Sequence, residues 1–172
     1  MCGRYTLYRS KMEYENALAS AGGLALDSAH FPYELPPSYN VTPSQAVWIA
    51  RQNGTNVWLE PVMWGLLPRW AKEGEKGPRP INARAETVAT NKLFAPLLRT
   101  KRCLVPCDGY YEWKTVPTGK QPYLIHMKSN APFFFAGMYD LWHEGKPDQL
   151  ATFTTITCVP NDAWHLFMTA CP

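Results

Sequence analysis

The sequence predicts an α+β domain with a curled, mostly antiparallel β-sheet, barrel-like at its core, and a few flanking helices. Three observations support this fold class: many short runs of β-branched and aromatic residues, turn residues that bound each run, and only two segments with helical spacing of apolar residues. A chain of 172 residues with 46% hydrophobic and 18% charged residues is long enough to bury a core of its own. We therefore expect a single domain over residues 1–172.

The helices and long loops follow from apolar spacing and from the positions of glycine and proline. Residues 11–21 place four apolar side chains at roughly helical spacing, and two glycines then stop the helix. The Pro-rich stretch over 31–43 predicts an ordered surface loop. A second helix is predicted over 88–98, with Pro96 expected to kink or shorten it. The Gly-, Lys- and Pro-rich segment 72–80 is expected to be exposed and mobile.

Six short runs are predicted to be strands because they are rich in β-branched and aromatic residues and end at Gly, Pro or Asn. These runs are 46–51, 57–63, 103–107, 123–128, 133–138 and 152–158. Cys103 and Cys107 lie four residues apart in one of them. Because no second Cys/His pair follows at zinc spacing, two strand or turn cysteines are favoured over a metal site.

Composition narrows the classes of function. The net charge of +3 permits contact with a polyanion without identifying one. Aromatic residues make up 13% of the chain, and some adjoin cations, as in Arg69-Trp70 and Trp113-Lys114. Single-stranded nucleic acids are held by stacking bases on such rings beside cationic backbone contacts. The alternative is that most of these rings belong to the core.

Cysteine content and hydropathy predict the compartment. Five cysteines is an odd number, and the chain contains neither a signal peptide nor an apolar run of membrane length. We therefore expect a cytoplasmic protein with reduced thiols and no membrane association. Since no motif for nucleotide, metal or flavin binding is present, we expect no cofactor.

Cys2 has the most informative chemistry. A small second residue normally allows removal of the initiator methionine, which makes Cys2 the N-terminus. Its α-amine then has a reference pKa of about 7.7–8.0, so a substantial fraction is uncharged and nucleophilic at neutral pH. An N-terminal 1,2-aminothiol forms an imine with an aldehyde, and its thiol closes on the imine carbon to give a thiazolidine. From Met-Cys-Gly alone, two alternatives to aldehyde trapping remain open. Cys2 has no chemical role, or the protein is an N-terminal-nucleophile amidohydrolase.

Two polar segments supply further candidate residues. In an extended segment, Asn82, Arg84 and Glu86 project from the same face. The alternative is a surface strand with a solvated polar face. Glu112 stands among aromatic residues, and such surroundings desolvate a carboxylate and suit it to proton transfer. From the residues alone, functional and structural interpretations of Glu112 are equally open.

Several motifs, taken together, indicate a family. They are, in order along the chain, Met1-Cys-Gly-Arg-Tyr5, Pro37-Ser-Tyr-Asn-Val-Thr-Pro43, Met63-Trp-Gly-Leu-Leu-Pro-Arg-Trp70, Ile81-Asn-Ala-Arg-Ala-Glu-Thr87, Cys107-Asp-Gly-Tyr-Tyr-Glu-Trp-Lys114 and Gln121-Pro-Tyr-Leu-Ile-His126. From Met1 to about Asn161 the chain resembles the SOS-response-associated peptidase (SRAP) family. The resemblance implies the SRAP fold and covalent shielding of abasic sites in single-stranded DNA. A monomer is expected, associated with the nucleoid if the source is bacterial.

The resemblance also implies roles for individual residues. Cys2 is the implied crosslinking nucleophile, Asn82 orients the abasic sugar, and Glu112 is the acid/base carboxylate. Arg4, Asn40, Trp70, Arg84 and Lys92 are the implied DNA-binding residues. A non-covalent single-strand binding module remains the main alternative to covalent chemistry. The family name further implies peptidase activity, interpreted here as removal of the residue in front of Cys2, with a lyase-like step at the sugar.

The last residues depart from the family pattern. Members typically carry a catalytic histidine in a His-x-Arg-Met-Pro segment, followed by a further stretch of chain. Here Asn161-Asp-Ala-Trp-His-Leu-Phe-Met168 contains neither the arginine nor the proline. His165 is the candidate for the catalytic place, and a tail residue of a shortened domain is the alternative. If the usual C-terminal segment is lacking, crosslink formation is expected to survive better than reversal.

Overall fold

The computed structural model describes residues 3–22, 25–74, 77 and 79–159. Within these residues it contains eleven strands and three helices. In chain order they are β1 (Tyr5–Leu7), α1 (Lys11–Gly22), β2 (Ala25–Leu26), β3 (Ser38–Val41), β4 (Ala46–Asn53), β5 (Asn56–Trp64), β6 (Asn82–Arg84), α2 (Ala85–Val88), α3 (Ala95–Thr100), β7 (Arg102–Cys107), β8 (Gly109–Val116), β9 (Gly119–Ile125), β10 (Phe133–Trp142) and β11 (Leu150–Thr157).

Five strands close into a barrel in the order β5-β4-β7-β10-β11, with β11 returning to β5. Neighbouring strands are antiparallel except at the closure, where Phe153 of β11 pairs in parallel with Trp64 of β5. Side chains alternate between the two faces of a strand, so one set from each strand fills the interior. Trp48, Trp64 and Phe153 are at most 1% exposed there. The predicted curled, mostly antiparallel sheet is confirmed.

A second sheet, in the order β3-β1-β8-β9, packs against this core. Its pairings are all antiparallel, and β1 is paired with β8 by Tyr5↔Tyr110 and Thr6↔Gly109. Two short strands extend the barrel sheet: β2 pairs in parallel with β5, and β6 pairs in parallel with β11. This last pairing brings the Asn-Ala-Arg segment to the end of the barrel.

Asp108 joins the first strand and the first helix to the start of β8. Its fully buried carboxylate accepts hydrogen bonds from the Tyr8 amide at 2.7 Å, Arg9 Nε at 2.9 Å and the Tyr14 hydroxyl at 2.6 Å. Burial, together with the adjacent Asp108 carboxylate, raises the pKa of Tyr14. The phenol therefore stays protonated and remains a hydrogen-bond donor.

The first predicted helix is confirmed as α1, whereas the second prediction is wrong. Instead of one helix over 88–98, the chain forms α2 and α3, separated by a turn. Pro96 is the second residue of α3 and lies in its first turn. Proline is well tolerated there because the first-turn amides have no partner within the helix. The turn itself is held by Asn91, whose Oδ1 accepts the Leu93 amide at 2.9 Å.

All six predicted strands are found, but two of the sequence expectations need correction. The loop expected over 31–43 contains β3, because β1 supplies an antiparallel partner for Ser38–Val41. The strand expected over 123–128 begins at Gly119 and ends at Ile125. Val116 pairs with Gly119, so a two-residue hairpin loop sets the strand start earlier than its apolar run indicates.

The described part of the chain contains no helix long and apolar enough to cross a membrane. Cys103 and Cys107 both lie on β7 and are buried, which confirms that they are strand residues. Burial raises the pKa of the Cys103 thiol. Among the residues that the structure describes, no group of three His, Cys, Asp or Glu side chains is placed to hold a metal ion.

Candidate DNA-binding and catalytic site

The pairing of β1 with β8 brings Arg4 next to Tyr111, the residue before Glu112. Tyr5 pairs with Tyr110, and the Tyr111 amide donates to the Arg4 carbonyl at 2.9 Å. Continued by one more residue, this antiparallel register brings Gly3 opposite Glu112. The side chain of Glu112 is half-buried at this position.

The segment that carries Asn82 approaches the same point from the barrel. A β-carbon added to Gly3 would lie 4.0 Å from Cδ1 of Ile81, the residue before Asn82. Gly3 therefore lies near Ile81 and, by the continued register, near Glu112. Cys2, which precedes Gly3 in the chain, is outside the described residues, as is His165.

Asn82 is held in place by strand β11. In the parallel β6–β11 register Asn82 is paired with Thr155, and the Thr155 hydroxyl lies 2.5 Å from Asn82 Oδ1. The Thr155 amide donates to the Ile81 carbonyl at 3.0 Å, which fixes the backbone beside the amide side chain. Thr155 is 5% exposed and Asn82 is half-buried, so water competes weakly for this contact.

The expectation that Asn82, Arg84 and Glu86 share one face of a strand is wrong. Strand β6 ends at Arg84, and the chain then turns into α2, which contains Glu86. Glu86 Oε1 accepts the Val159 amide at 2.8 Å. Backbone hydrogen bonds, from its own amide first and then from Val159, lower the pKa of Glu86. Glu86 thus fastens α2 to the segment that follows β11.

Arg4 and Asn40 form one exposed pair. Arg4 Nη1 donates to Asn40 Oδ1 at 2.9 Å, joining the residue before β1 to strand β3. Both side chains are exposed, so the guanidinium lies at the surface within two residues of Cys2. A cation and an amide in this position can contact a phosphate or a sugar.

Trp70 is an exposed ring on a fixed loop. Its side chain is 70% exposed. The amide of Arg69 donates to Asp140 Oδ2 at 2.9 Å, and the carbonyl of Ala71 accepts Trp142 Nε1 at 2.8 Å. The backbone is therefore fixed on both sides of Trp70, which suits the ring to stacking on a base.

Comparison with known proteins identifies the family. The model of the SOS response associated peptidase (SRAP) family matches residues 1–167. The chain belongs to this family. It is 41% identical over 165 residues to the abasic site processing protein YoaM of Bacillus subtilis (strain 168), covering 94% of this chain and 69% of that protein. It is 34% identical over 163 residues to the abasic site processing protein YedK of Escherichia coli (strain K12), covering 94% and 69%.

Solved structures agree with the SRAP assignment. A crystal structure of a Bacteroides thetaiotaomicron protein matches with a TM-score of 0.79 and 27% identity, covering 98% of this chain and 73% of that one. A phage-related protein from Bordetella bronchiseptica matches with a TM-score of 0.69 and 28% identity, covering 95% and 70%. The predicted fold and family resemblance are both confirmed.

In this SRAP chain, the structure gathers some of the predicted residues and leaves others apart. Arg4 and Asn40 are in contact, and the Asn82 and Glu112 segments converge on Gly3. Arg84 is exposed at the end of β6, and Lys92 is exposed in the turn between α2 and α3. These two cations therefore flank α2.

Sequence reasoning missed Thr155. It lies within a run of ordinary strand residues, and its contact with Asn82 joins positions 73 residues apart. Only the parallel β6–β11 pairing gives it a role at the site. Alternation of side chains along the predicted strand marks Thr155 as inward-facing, but it does not identify the partner.

Proposed function

We propose that this protein recognises abasic sites in single-stranded DNA and becomes covalently attached to them through Cys2. The abasic site processing proteins of Bacillus subtilis and Escherichia coli, 41% and 34% identical to this chain, support the substrate class. The observation that carries the proposed chemistry is the approach of two segments to Gly3. The β1–β8 register, continued past Tyr5, brings Glu112 opposite Gly3, and a β-carbon added to Gly3 would lie 4.0 Å from Ile81, the residue before Asn82. In this proposal the nucleophile, which directly precedes Gly3 in the chain, reacts beside these two segments.

The proposed reaction begins once Met1 has been removed. The uncharged α-amine of Cys2 attacks the aldehyde carbon of the ring-opened abasic sugar, and the resulting carbinolamine loses water to form an imine. The Cys2 sulfur then bonds to the imine carbon, and the thiol proton passes to the nitrogen. The aldehyde and the aminothiol thus yield one thiazolidine and one water.

Glu112 and Asn82 have separate tasks in this proposal. Glu112, whose side chain is half-buried, delivers the proton that lets hydroxide leave as water. Asn82, oriented by Thr155, hydrogen-bonds the sugar and holds the aldehyde near the amine. Arg4, Asn40, Arg84 and Lys92 contact the backbone, and Trp70 stacks on a base.

The experiment uses purified Met1-free protein and a single strand with one abasic site, analysed on a denaturing gel. A heat-stable shifted band is expected for the wild type and for Glu73→Gln, an exposed glutamate in the 72–80 segment. Cys2→Ala is expected to abolish the band, and Glu112→Gln to slow its formation while binding is unchanged. A wild type that binds single strands without any shifted band would overturn the covalent proposal in favour of non-covalent binding.

The peptidase activity is proposed to be removal of Met1, which exposes the nucleophile. Intact-mass measurement of the wild type and of Glu112→Gln tests whether the protein performs this step. Retention of Met1 in the variant alone supports self-processing, and its loss from both assigns the step to a cellular aminopeptidase. Four further properties are proposed from the sequence. The protein carries out a lyase-like step at the sugar, is located in the cytoplasm, is a monomer and needs no cofactor.

A further inference from the structure

Tyr39 is an exposed ring with one face covered. Its side chain is 66% exposed, although its ring is stacked on Tyr8 with centroids 5.1 Å apart and an interplanar angle of 15°. In a stacked pair each ring shields one face of the other. The high exposure of Tyr39 therefore places its second face toward solvent.

The Tyr8–Tyr39 stack is held from several directions. The Tyr39 carbonyl accepts the Tyr111 hydroxyl at 3.1 Å, which ties β3 to β8. Beneath Tyr8, the guanidinium carbon of Arg9 lies 5.7 Å from the ring centroid, and buried Asp108 fixes Arg9 by a 2.9 Å hydrogen bond. A ring fixed in this way loses little conformational freedom when another planar group stacks on it.

The stack adjoins the candidate DNA contacts. Tyr39 precedes Asn40, which accepts the hydrogen bond from Arg4 at 2.9 Å. Tyr8 and Gly3 lie on either side of β1, five residues apart, which is about 17 Å of extended chain at about 3.3 Å per residue. A strand of DNA whose abasic sugar lies beside Gly3 therefore reaches the stack a few nucleotides away from the lesion.

We propose that the free face of Tyr39 stacks on a base of the single strand, a few nucleotides from the abasic site. The subsite accepts any base, since every base offers a π-face. This inference rests on the proposed function, because it assumes that single-stranded DNA passes Arg4 and Asn40. It extends the binding surface beyond the residues that touch the lesion.

The test measures equilibrium binding in a Cys2→Ala background, where no crosslink forms. The probe is a labelled single strand with one abasic site. Loss of one base stack weakens binding by about 1–3 kcal/mol, so Tyr39→Ala and Tyr39→Leu should raise the Kd about 5- to 150-fold. Tyr39→Phe should bind as the background protein does. Tyr33→Ala is the control, since Tyr33 is a half-exposed tyrosine packed on Phe31 and Trp48.

Shortening the strand from each end locates the base that is stacked. When that nucleotide is removed, the Kd of the Cys2→Ala protein should rise by the same factor as it does on substitution of Tyr39. The Kd of the Tyr39→Leu variant in that background should not rise further. An unchanged Kd for folded Tyr39→Ala and Tyr39→Leu would overturn the inference. A defect that persists on every strand length, including strands too short to reach Tyr39, would also overturn it.

The two proposals fail in different ways. Crosslink formation is measured with the wild type, and the stacking subsite is measured by binding in the Cys2→Ala background. If the wild type forms no crosslink but Tyr39→Leu weakens single-strand binding as predicted, the covalent proposal fails and the stacking subsite stands. If the wild type forms the crosslink but substitution of Tyr39 does not change the Kd, the stacking subsite fails and the covalent proposal stands.

Discussion

The hydroxyl of Thr155 lies 2.5 Å from Oδ1 of Asn82 and 3.2 Å from the carbonyl of Ile81. A hydroxyl has one proton to donate, and the shorter contact assigns it to Asn82. The carboxamide oxygen is then directed at β11, and this determines which way the amide nitrogen faces. The orientation of Asn82 thus depends on a residue of another strand.

Replacement of Thr155 by valine should slow crosslinking without changing single-strand affinity, because Asn82 loses the contact that orients it. We expect a rate loss of about 10-fold, matching about 1.4 kcal/mol for a hydrogen bond of ordinary strength. Thr155→Ser should retain the wild-type rate. Single-turnover crosslinking at saturating DNA measures the effect.

Thr154→Val provides the matched control for this substitution. Thr154 is fully buried beside Thr155, and within the described residues its hydroxyl has no hydrogen-bond partner. Its replacement should leave the crosslinking rate unchanged and should not lower stability. Equal rate losses in Thr154→Val and Thr155→Val would show that the Asn82 contact is not the cause.

Local signals in the sequence predicted helix α1 and six of the eleven strands that the structure describes, but they did not identify which strands pair. Helix α1 was predicted because its apolar spacing and the following glycines are both local. The barrel closure between β5 and β11 pairs Trp64 with Phe153, and no pattern within either strand specifies that partner. Pro96 was correctly identified as a constraint, but the sequence could not distinguish a kinked helix from a new one.

In the candidate site, too, the residues were predicted from the sequence but the contacts between them were not. Cys2, Asn82 and Glu112 were predicted from motifs, whose chemistry is visible in the residue types. The contact of Asn82 with Thr155 depended on the β6–β11 register, and the exposure of Tyr39 depended on its stack with Tyr8. Both relationships join residues that are distant in sequence, so periodicity and composition carry no signal for them.

Trp142→Phe should weaken single-strand binding about 2- to 10-fold. The indole Nε1 of Trp142 donates to the Ala71 carbonyl at 2.8 Å. Without this hydrogen bond, the observed conformation of the loop that carries Trp70 is less stable by about 0.5–1.5 kcal/mol. Affinity for an undamaged oligonucleotide, measured by fluorescence anisotropy, is the readout.

Trp58→Phe is the control for the loop prediction. It removes an indole hydrogen bond, from Nε1 to Glu60 Oε2 at 3.3 Å, near the start of β5. This variant should bind single strands as the wild type does. The prediction fails if both variants lose the same affinity, or if Trp142→Phe loses none.

Native alkylation should distinguish the described cysteines. Cys158 is exposed after β11, whereas Cys103 and Cys107 are buried in β7. Burial raises the pKa of Cys103, so its thiol stays protonated and unreactive at neutral pH. Iodoacetamide followed by peptide mass spectrometry should modify Cys158 and leave the other two unlabelled until urea is added. Labelling of Cys103 in the folded protein would contradict its burial.

Asp108→Ala should be strongly destabilising, since three donors lose their acceptor at once. Tyr14 is fully buried, while Arg9 is 22% exposed and can recover some solvation. We therefore expect the free energy of unfolding to fall by about 3 kcal/mol, near the lower end of the range for a broken buried ion pair. The change is measured as a lower urea midpoint with an unchanged dependence of the unfolding free energy on urea concentration. Asp108→Ala should also slow crosslinking, because the same contacts hold β1 against β8 and so place Gly3 near Glu112.

Asp148→Ala is the control for this substitution. It removes the contact of an exposed carboxylate with Nδ1 of His143 and should leave the urea midpoint unchanged. Equal urea midpoints for the two variants would mean that Asp108 contributes no more than a surface carboxylate.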